Sequence, residues 1–307
     1  MLGIHVAKTS KIMEKKKSSR SMLDALKEEV KLYGLSAAQI FTHGPRNIKK
    51  IKMDHDGIKT FVMENKIELV VHSSYMTVGI WKLAEKSKKD SNVDNRRINH
   101  LTDQLQACDD LGVKYLVVHL PNKPREEVAK CLTILKPQLI KYKCKMCLEV
   151  EPFKPSEKSH ETPQKLNRLC AKIAAVLNRK HWKLCIDTAH IWGSGIEVGS
   201  ALVMDKWIDD LAPWVRNQIA ILHLNGSYAK CGSHKDKHAI PFSEEDNIWG
   251  KNSDIENATL TNDFNKTGLF SMWKLAQRLN IPIIYEINRG SENDFMNLAN
   301  AHKQWFV

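Results

Sequence analysis

Nine acidic or imidazole side chains stand at or just beyond the ends of short apolar runs, and no other residues in this sequence are as well suited to chemistry. His72 closes Val70-Val71-His72, His119 closes Val117-Val118-His119, and Glu149 follows Cys147-Leu148. Asp187 and His190 lie in Cys185-Ile186-Asp187-Thr188-Ala189-His190, and His223 closes Ile221-Leu222-His223. Glu286 follows Ile284-Tyr285, and Asp236 and His238 belong to Asp236-Lys237-His238. Brought to one place, so many carboxylates and imidazoles require cations, because unpaired buried charge is very costly. Five histidines and four carboxylates without cysteine suit zinc, with manganese or iron as other occupants. A catalytic zinc takes about three protein ligands, so a set of this size implies two or three ions and a bridging carboxylate. Clustered divalent ions suit phosphodiester hydrolysis, where one activates water and others stabilise the attacking and leaving oxygens.

The elements that must position these residues follow from hydrophobic period. Short β-branched runs predict strands over Leu2–Val6, Ser36–Phe41, Glu68–Ser73, Lys114–Leu120, Lys145–Val150, Lys183–Asp187, Ile219–Leu224 and Pro282–Ile287. Amphipathic stretches separate them, among them Met22–Tyr33, Asp94–Leu111, Glu126–Ile140, Pro163–Leu177 and Gly268–Leu279. Strand–helix alternation implies parallel strands with right-handed crossovers. Eight units, with no GxGxxG or GxxxxGK[ST], favour a closed (β/α)8 TIM barrel over an open sheet. The fold class expected is therefore α/β, with residues 1–307 as one barrel domain and a long functional loop at about 225–266. Barrel active sites lie at the carboxyl ends of the strands, where the candidate ligands fall.

Composition narrows the partners. Lys and Arg number 47 against 35 Asp and Glu, a net charge of +12 that favours a polyanion such as nucleic acid. No apolar run reaches the length of a membrane span, and the amino terminus lacks the pattern of a signal peptide. Seven scattered cysteines do not form a disulfide framework, and the lone Cys144-x-x-Cys147 lies in a strand-like run. An intracellular, reducing compartment (cytoplasm or nucleus) and a monomer are expected.

The sequence resembles the endonuclease IV family of abasic-site endonucleases over nearly its whole length. The segments that carry the resemblance are Gly3-Ile4-His5-Val6, His72-Ser73-Ser74-Tyr75, the Cys185–His190 run, His223-Leu224-Asn225, Asp236-Lys237-His238 and Tyr285-Glu286. It implies three zinc ions: one on His72, His119 and Glu149; a second on Glu149, Asp187, His223 and Glu286; a third on His190, Asp236 and His238. It also implies cleavage 5′ to an abasic site in double-stranded DNA to leave a 3′ hydroxyl, and trimming of blocked 3′ ends with 3′–5′ exonuclease activity. Attack would be in line, with Glu149 orienting or deprotonating the water. Arg46 and Tyr75 would be the side chains that enter the DNA. Glu151 in Glu149-Val150-Glu151-Pro152 rivals Glu149 as the bridge. Two departures stand out: Gly226 follows His-Leu-Asn where the family has Asp, and Ser243-Glu244-Glu245-Asp246 replaces a Gly-Glu-Gly. The pattern is closer to members from large DNA viruses than to bacterial ones.

The loops expected at the catalytic rim are basic. They carry Lys8, Lys11, Lys15, Lys16, Lys17 and Arg20; Arg46, Lys49, Lys50 and Lys52; Lys82, Lys86, Lys88, Lys89, Arg96 and Arg97; and Lys230, Lys235 and Lys237. Trp81 and Trp192 also fall near it, as packed residues or as stacking platforms. Two other readings stay open: a sugar isomerase or epimerase on a xylose-isomerase-like barrel, and a protein that binds DNA without cutting it.

Overall fold

A computed structural model describes residues 1–8, 20–85, 91–154, 156, 158–250, 264–286 and 292–305. Eight parallel strands close into a barrel: β1 (Leu2–His5), β2 (Ala37–Phe41), β3 (Glu68–His72), β4 (Tyr115–Leu120), β5 (Lys145–Val150), β6 (Trp182–Asp187), β7 (Ile219–His223) and, last in the chain, β10 (Ile283–Tyr285). Each begins within about one residue of where the apolar pattern places it. The closed sheet and its surrounding helices are the expected TIM barrel. Two short strands, β8 (Gly226–Ser227) and β9 (His238–Ala239), pair antiparallel in the long loop after β7.

Local chemistry sets the helix ends. The first helix, α1 (Met22–Tyr33), opens on a Ser21–Asp24 capping box and closes on Gly34 in the left-handed region at φ 59°. Thr162 caps α5 (Pro163–Val176) with Pro163 in its first turn. The remaining helices are α2 (His55–Glu64), α3 (Ser91–Leu111), α4 (Arg125–Lys141), α6 (Thr188–Gly193), α7 (Ala201–Asp209), α8 (Pro213–Arg216), α9 (Gly268–Leu279) and α10 (Glu292–Trp305). Tyr75–Lys82, after β3, is a 3₁₀ segment.

Two packing regions result. The larger lies between the sheet and the helices. The smaller fills the barrel and contains Ala37, Val70, Val117, Cys147, Cys185, Ile221 and Ile284. Alternate residues of a strand share a face. Two positions toward the carboxyl end of that inner layer stand Gln39, His72, His119, Glu149, Asp187, His223 and Glu286. An apolar plug therefore floors a polar, acid-and-imidazole layer. Gly3 belongs to the floor: a Cβ there would fall 2.6 Å from Ile284 Cδ1 and 2.8 Å from Ala37 Cβ, so position 3 of the chain admits no side chain.

Expectations placed on Lys11, Lys15–Lys17, Lys86, Lys88, Lys89, Ile287 and on 251–263 of the long loop lie outside the described residues. Among the described residues, no helix is long and apolar enough to cross a membrane.

Candidate metal centre

The candidate ligands converge at the carboxyl mouth of the barrel in three overlapping groups. Ligand atoms of His72, His119 and Glu149 lie within 4.8 Å of one another, as do those of Glu149, Asp187, His223 and Glu286. Asp187, His190 and His238 form the third group. Asp236 sits at its rim, its side chain 44% exposed, with Oδ1 3.4 Å from His190 Nε2 and 2.7 Å from His238 Nε2. Glu149 is fully buried at the centre. Its Oε2 is 3.4 Å from His72 Nε2 and 3.3 Å from His119 Nε2, and its Oε1 is 2.8 Å from His223 Nδ1. Cys185, on the barrel's inner face, also lies within 4.8 Å of ligand atoms of Glu149 and His223. The pattern of strand-end acids and imidazoles leaves that cysteine out of the site.

Partners outside the groups decide which ring nitrogen faces inward. A carbonyl oxygen only accepts, so an imidazole nitrogen bonded to one carries the proton. His72 Nδ1 donates to Ser73 O at 2.8 Å and His190 Nδ1 to Val150 O at 2.9 Å. His238 Nδ1 donates to Glu286 O at 3.2 Å, and His119 Nδ1 to Glu151 Oε1 at 2.8 Å. All four present Nε2 to the centre. Glu151 is thus spent on the back of His119, while Glu149 occupies the middle. His223 is turned the other way: its Nε2 donates to Gln39 Oε1 at 2.9 Å and its Nδ1 faces the carboxylates. Asn225 donates through Nδ2 to Asp187 Oδ2 at 2.8 Å and accepts the Glu286 amide at Oδ1, 2.7 Å away. Gln39 and Asn225 are not among the expected site residues. Gln39 stands where the period-2 pattern of β2 points inward, a signal that could have found it.

The electrostatics call for cations. Glu149 and Asp187 are buried beside the partly buried Glu286, and among the described residues the ion pairs of all three are with histidines alone. Burial pushes the Glu149 carboxyl up, but His223 and His119 outweigh it and hold it well below the usual range. Burial raises Asp187, with Glu149 adding to it against His190 and His238. Burial pulls His190 and His223 down, yet their carboxylates lift both to about 9. Glu149 Oε2, His190 Nε2 and His238 Nε2 are buried with no hydrogen-bond partner. Ring nitrogens turned to the centre and an orphaned Glu149 oxygen fit divalent metal ions, which would displace the ring protons that these raised values describe.

The flank of the mouth carries the expected DNA contacts. The loop 44–50 is clamped to the segment after β3: Ser74 Oγ donates to Asn47 O at 2.8 Å, and the Tyr75 amide donates to Pro45 O at 2.8 Å. Arg46 and Tyr75 thus belong to one unit. Arg46 is exposed; Tyr75, 44% exposed, packs edge-on against His72 and at a tilt against His119, at 5.8 and 5.5 Å between ring centres. Exposed Met76 and Ile48 lie beside them in the chain. One rim expectation is corrected. Arg20 is held by Glu29 at 2.7 Å and Glu28 at 2.8 Å and by the Ala7 and Lys8 carbonyls, so its charge is neutralised internally. Of the two roles open to Trp81 the structure takes the packed one: it is buried and donates to His119 O at 2.8 Å. Trp192, half-buried, donates to Ala229 O at 2.9 Å.

Residues 28–269 match the family model described as "Xylose isomerase-like TIM barrel". The chain belongs to that family. It is similar to a probable AP endonuclease of African swine fever virus (isolate Tick/Malawi/Lil 20-1/1983), 28% identical over 276 residues, 88% of this chain and 84% of that one. It is also similar to a probable endonuclease 4 of Mycoplasmopsis pulmonis, 28% identical over 240 residues, 73% of this chain and 79% of the other. The fold is shared with the endonuclease IV structure from Thermus thermophilus, at TM-score 0.66 and 22% identity over 99% of this chain and 98% of that one. Xylose isomerase-like barrels share this architecture, so the barrel alone does not decide the reaction.

Proposed function

We propose that this chain is a metal-dependent DNA-repair endonuclease that hydrolyses the phosphodiester 5′ to abasic sites, leaving a 3′ hydroxyl. The observation that carries the reading is the shared use of Glu149 and Asp187 by three overlapping ligand groups. One isolated metal would not need them, whereas a cluster acting on a phosphodiester would. The similarity to a probable AP endonuclease and a probable endonuclease 4 supports the same reading.

Zinc fits the donor set, three ions per chain, with manganese as a substitute. His72, His119 and Glu149 Oε2 would hold the first ion. Glu149 Oε1, Asp187, His223 Nδ1 and Glu286 would hold the second. His190, His238 and Asp236 would hold the third, with Asp187 at its inner edge. When bound, such ions lower the pKa of water and stabilise charge on the phosphoryl oxygens. Glu149 lies between the first two groups, where it would orient the attacking water or take up its proton. Tyr75 and Arg46 enter the duplex from the clamped flank and fill the gap where a base is missing, so that recognition rests on extrusion of the sugar rather than on reading a base. The same in-line displacement would trim blocked 3′ ends and run as a 3′–5′ exonuclease. Exposed Arg46, Lys49, Lys50 and Lys52 border the mouth and would neutralise phosphates.

The test is incision of a labelled duplex carrying one abasic-site analogue, before and after prolonged chelation, with the metal content of the preparation measured. A single cut 5′ to the lesion, lost on chelation and restored by zinc, is expected. No cut from protein carrying about three metals per chain would overturn the reading.

A further inference from the structure

The acidic stretch 243–246 contains a carboxylate that the site described above does not use. Glu244 and Glu245 are exposed, but Asp246 is 3% exposed and has no lysine, arginine or histidine partner among the described residues. Four backbone amides hold it instead. Oδ1 accepts from Ser227 N at 3.1 Å and Ile248 N at 2.9 Å; Oδ2 accepts from Phe242 N at 2.8 Å and Trp249 N at 3.3 Å. Phe242 is held at φ 66°, a region a bulky residue adopts only when its surroundings fix it.

Position 226 is empty of a side chain because Asp246 fills its place. A Cβ on Gly226 would lie 2.6 Å from Asp246 Oδ1 and 2.7 Å from its Cγ. Two arms leave this contact toward the metal centre. On one side, Trp249 Nε1 donates to Asn225 O at 3.2 Å, and Thr188 Oγ1 donates to the same oxygen at 2.7 Å. That fixes the residue whose side chain bonds both Asp187 and the Glu286 amide. On the other side, Ser227 pairs across the short antiparallel sheet with His238. One buried carboxylate therefore organises the strand that aims Asp187 and Glu286 and the strand that carries His238.

We propose that Asp246 is a positioning residue for the metal cluster, acting through Trp249–Asn225 and through the Gly226–Ser227 strand, with Gly226 as its obligatory steric counterpart. This rests on the reading of the mouth as a metal centre. Burial drives the Asp246 carboxyl up to about 6 against the pull of its four amides, so the group is retained at a cost that loop closure must offset. A carboxylate serving the loop alone would leave the hold on metal unchanged once the protein is folded.

The experiment uses the zinc-loaded full chain and follows zinc transfer to a chromogenic chelator at about 25 °C, beside the urea midpoint of each variant. Asp246→Ala and Gly226→Ala are each expected to release zinc about tenfold faster than wild type. The double variant is expected to release it no faster than Asp246→Ala alone, because the added Cβ then meets nothing. Trp249→Phe removes the indole N–H together with part of a buried ring, so its release is read beside its urea midpoint; it is the second test should Asp246→Ala fail to fold, and a several-fold faster release is expected. Wild-type release rates in folded Asp246→Ala or Trp249→Phe would overturn the proposal, as would additive effects at 226 and 246. Wild-type protein that takes up no zinc would overturn the metal reading itself, and this proposal with it.

Discussion

Gln39 Oε1 lies 2.9 Å from His223 Nε2, and the nitrogen of the same amide donates to Glu286 Oε1 at 2.6 Å. An amide placed in this way cannot be turned over without setting its oxygen against a carboxylate. It therefore forces the His223 proton onto Nε2 and leaves Nδ1 as a lone pair 2.8 Å from Glu149 Oε1 and 3.2 Å from Glu286 Oε2. In the neutral ring that lone pair against two carboxylates is repulsive; a second ring proton relieves it, as the raised His223 pKa of about 9 records, and so would a metal ion held between them. Gln39 also lies 3.1 Å from His5 Nδ1, which ties β1 into the same network.

Gln39→Leu keeps the shape of the barrel's inner face and removes that constraint. Zinc affinity is expected to fall about tenfold to a hundredfold, the usual cost of losing a partner that orients a metal-binding histidine. Competition with a calibrated chelator measures it. Unchanged affinity would mean that His223 does not face a metal through Nδ1.

The two carboxylates at the end of β5 should separate cleanly. Glu149→Gln is expected to abolish incision, leaving salt-dependent binding to abasic duplex largely intact. Glu151→Gln removes only the acceptor behind His119 and should cost about tenfold to a hundredfold. Loss of activity in Glu151→Gln with survival in Glu149→Gln would reverse the roles assigned to them.

The difference between those two glutamates also shows what the sequence makes legible. Each strand alternates, and the residues two beyond the inner apolar layer are the acids and imidazoles picked out by their place at strand ends. Parity puts Glu149 and Glu151 on the same face, so period alone cannot rank them; the turn of the chain past Val150 does. Gln39 has the right parity but a neutral side chain, so a search for ligands passes over it. Asp246 reads as surface charge near DNA because its burial depends on the loop folding back on Gly226, a long-range contact with no local signature. Arg20 reads as a free cation for a related reason: its partners Glu28 and Glu29 lie eight and nine residues further on, in α1.

Recognition of the lesion should depend on the clamped flank. Arg46→Ala and Tyr75→Ala are each expected to reduce the preference for abasic over intact duplex about tenfold, or about 1.4 kcal/mol. Tyr75→Phe keeps the ring on His72 and His119 and should keep most of the preference. Metal content checked in parallel separates lost insertion from a disturbed centre, since the Tyr75 ring packs on the imidazoles of His72 and His119. Full preference in both alanine variants would remove these residues from the DNA path.

The loop that carries Arg46 should loosen in acid. His43, 2% exposed, sits at its base with Nδ1 3.1 Å from Thr42 Oγ1 and its ring edge-on to His100 at 5.3 Å. Burial and then the neighbouring His100 pull its pKa from 6.5 to about 4, with Asp103 opposing. Because the folded value lies below the unfolded one, the unfolded chain binds a proton that the folded chain refuses. The stability is therefore complete above about pH 6.5 and is lost as pH falls toward about 4. His302, drawn down to about 3 by burial, the amino terminus and Lys303, has the same sign, and a bound metal cluster would add its own acid sensitivity. The informative quantity is hence the difference between wild type and His43→Gln, in which those contributions cancel. Urea midpoints across this window should converge at the acid end, with the variant's curve flatter. Parallel curves would show that His43 is protonated as readily in the fold as out of it.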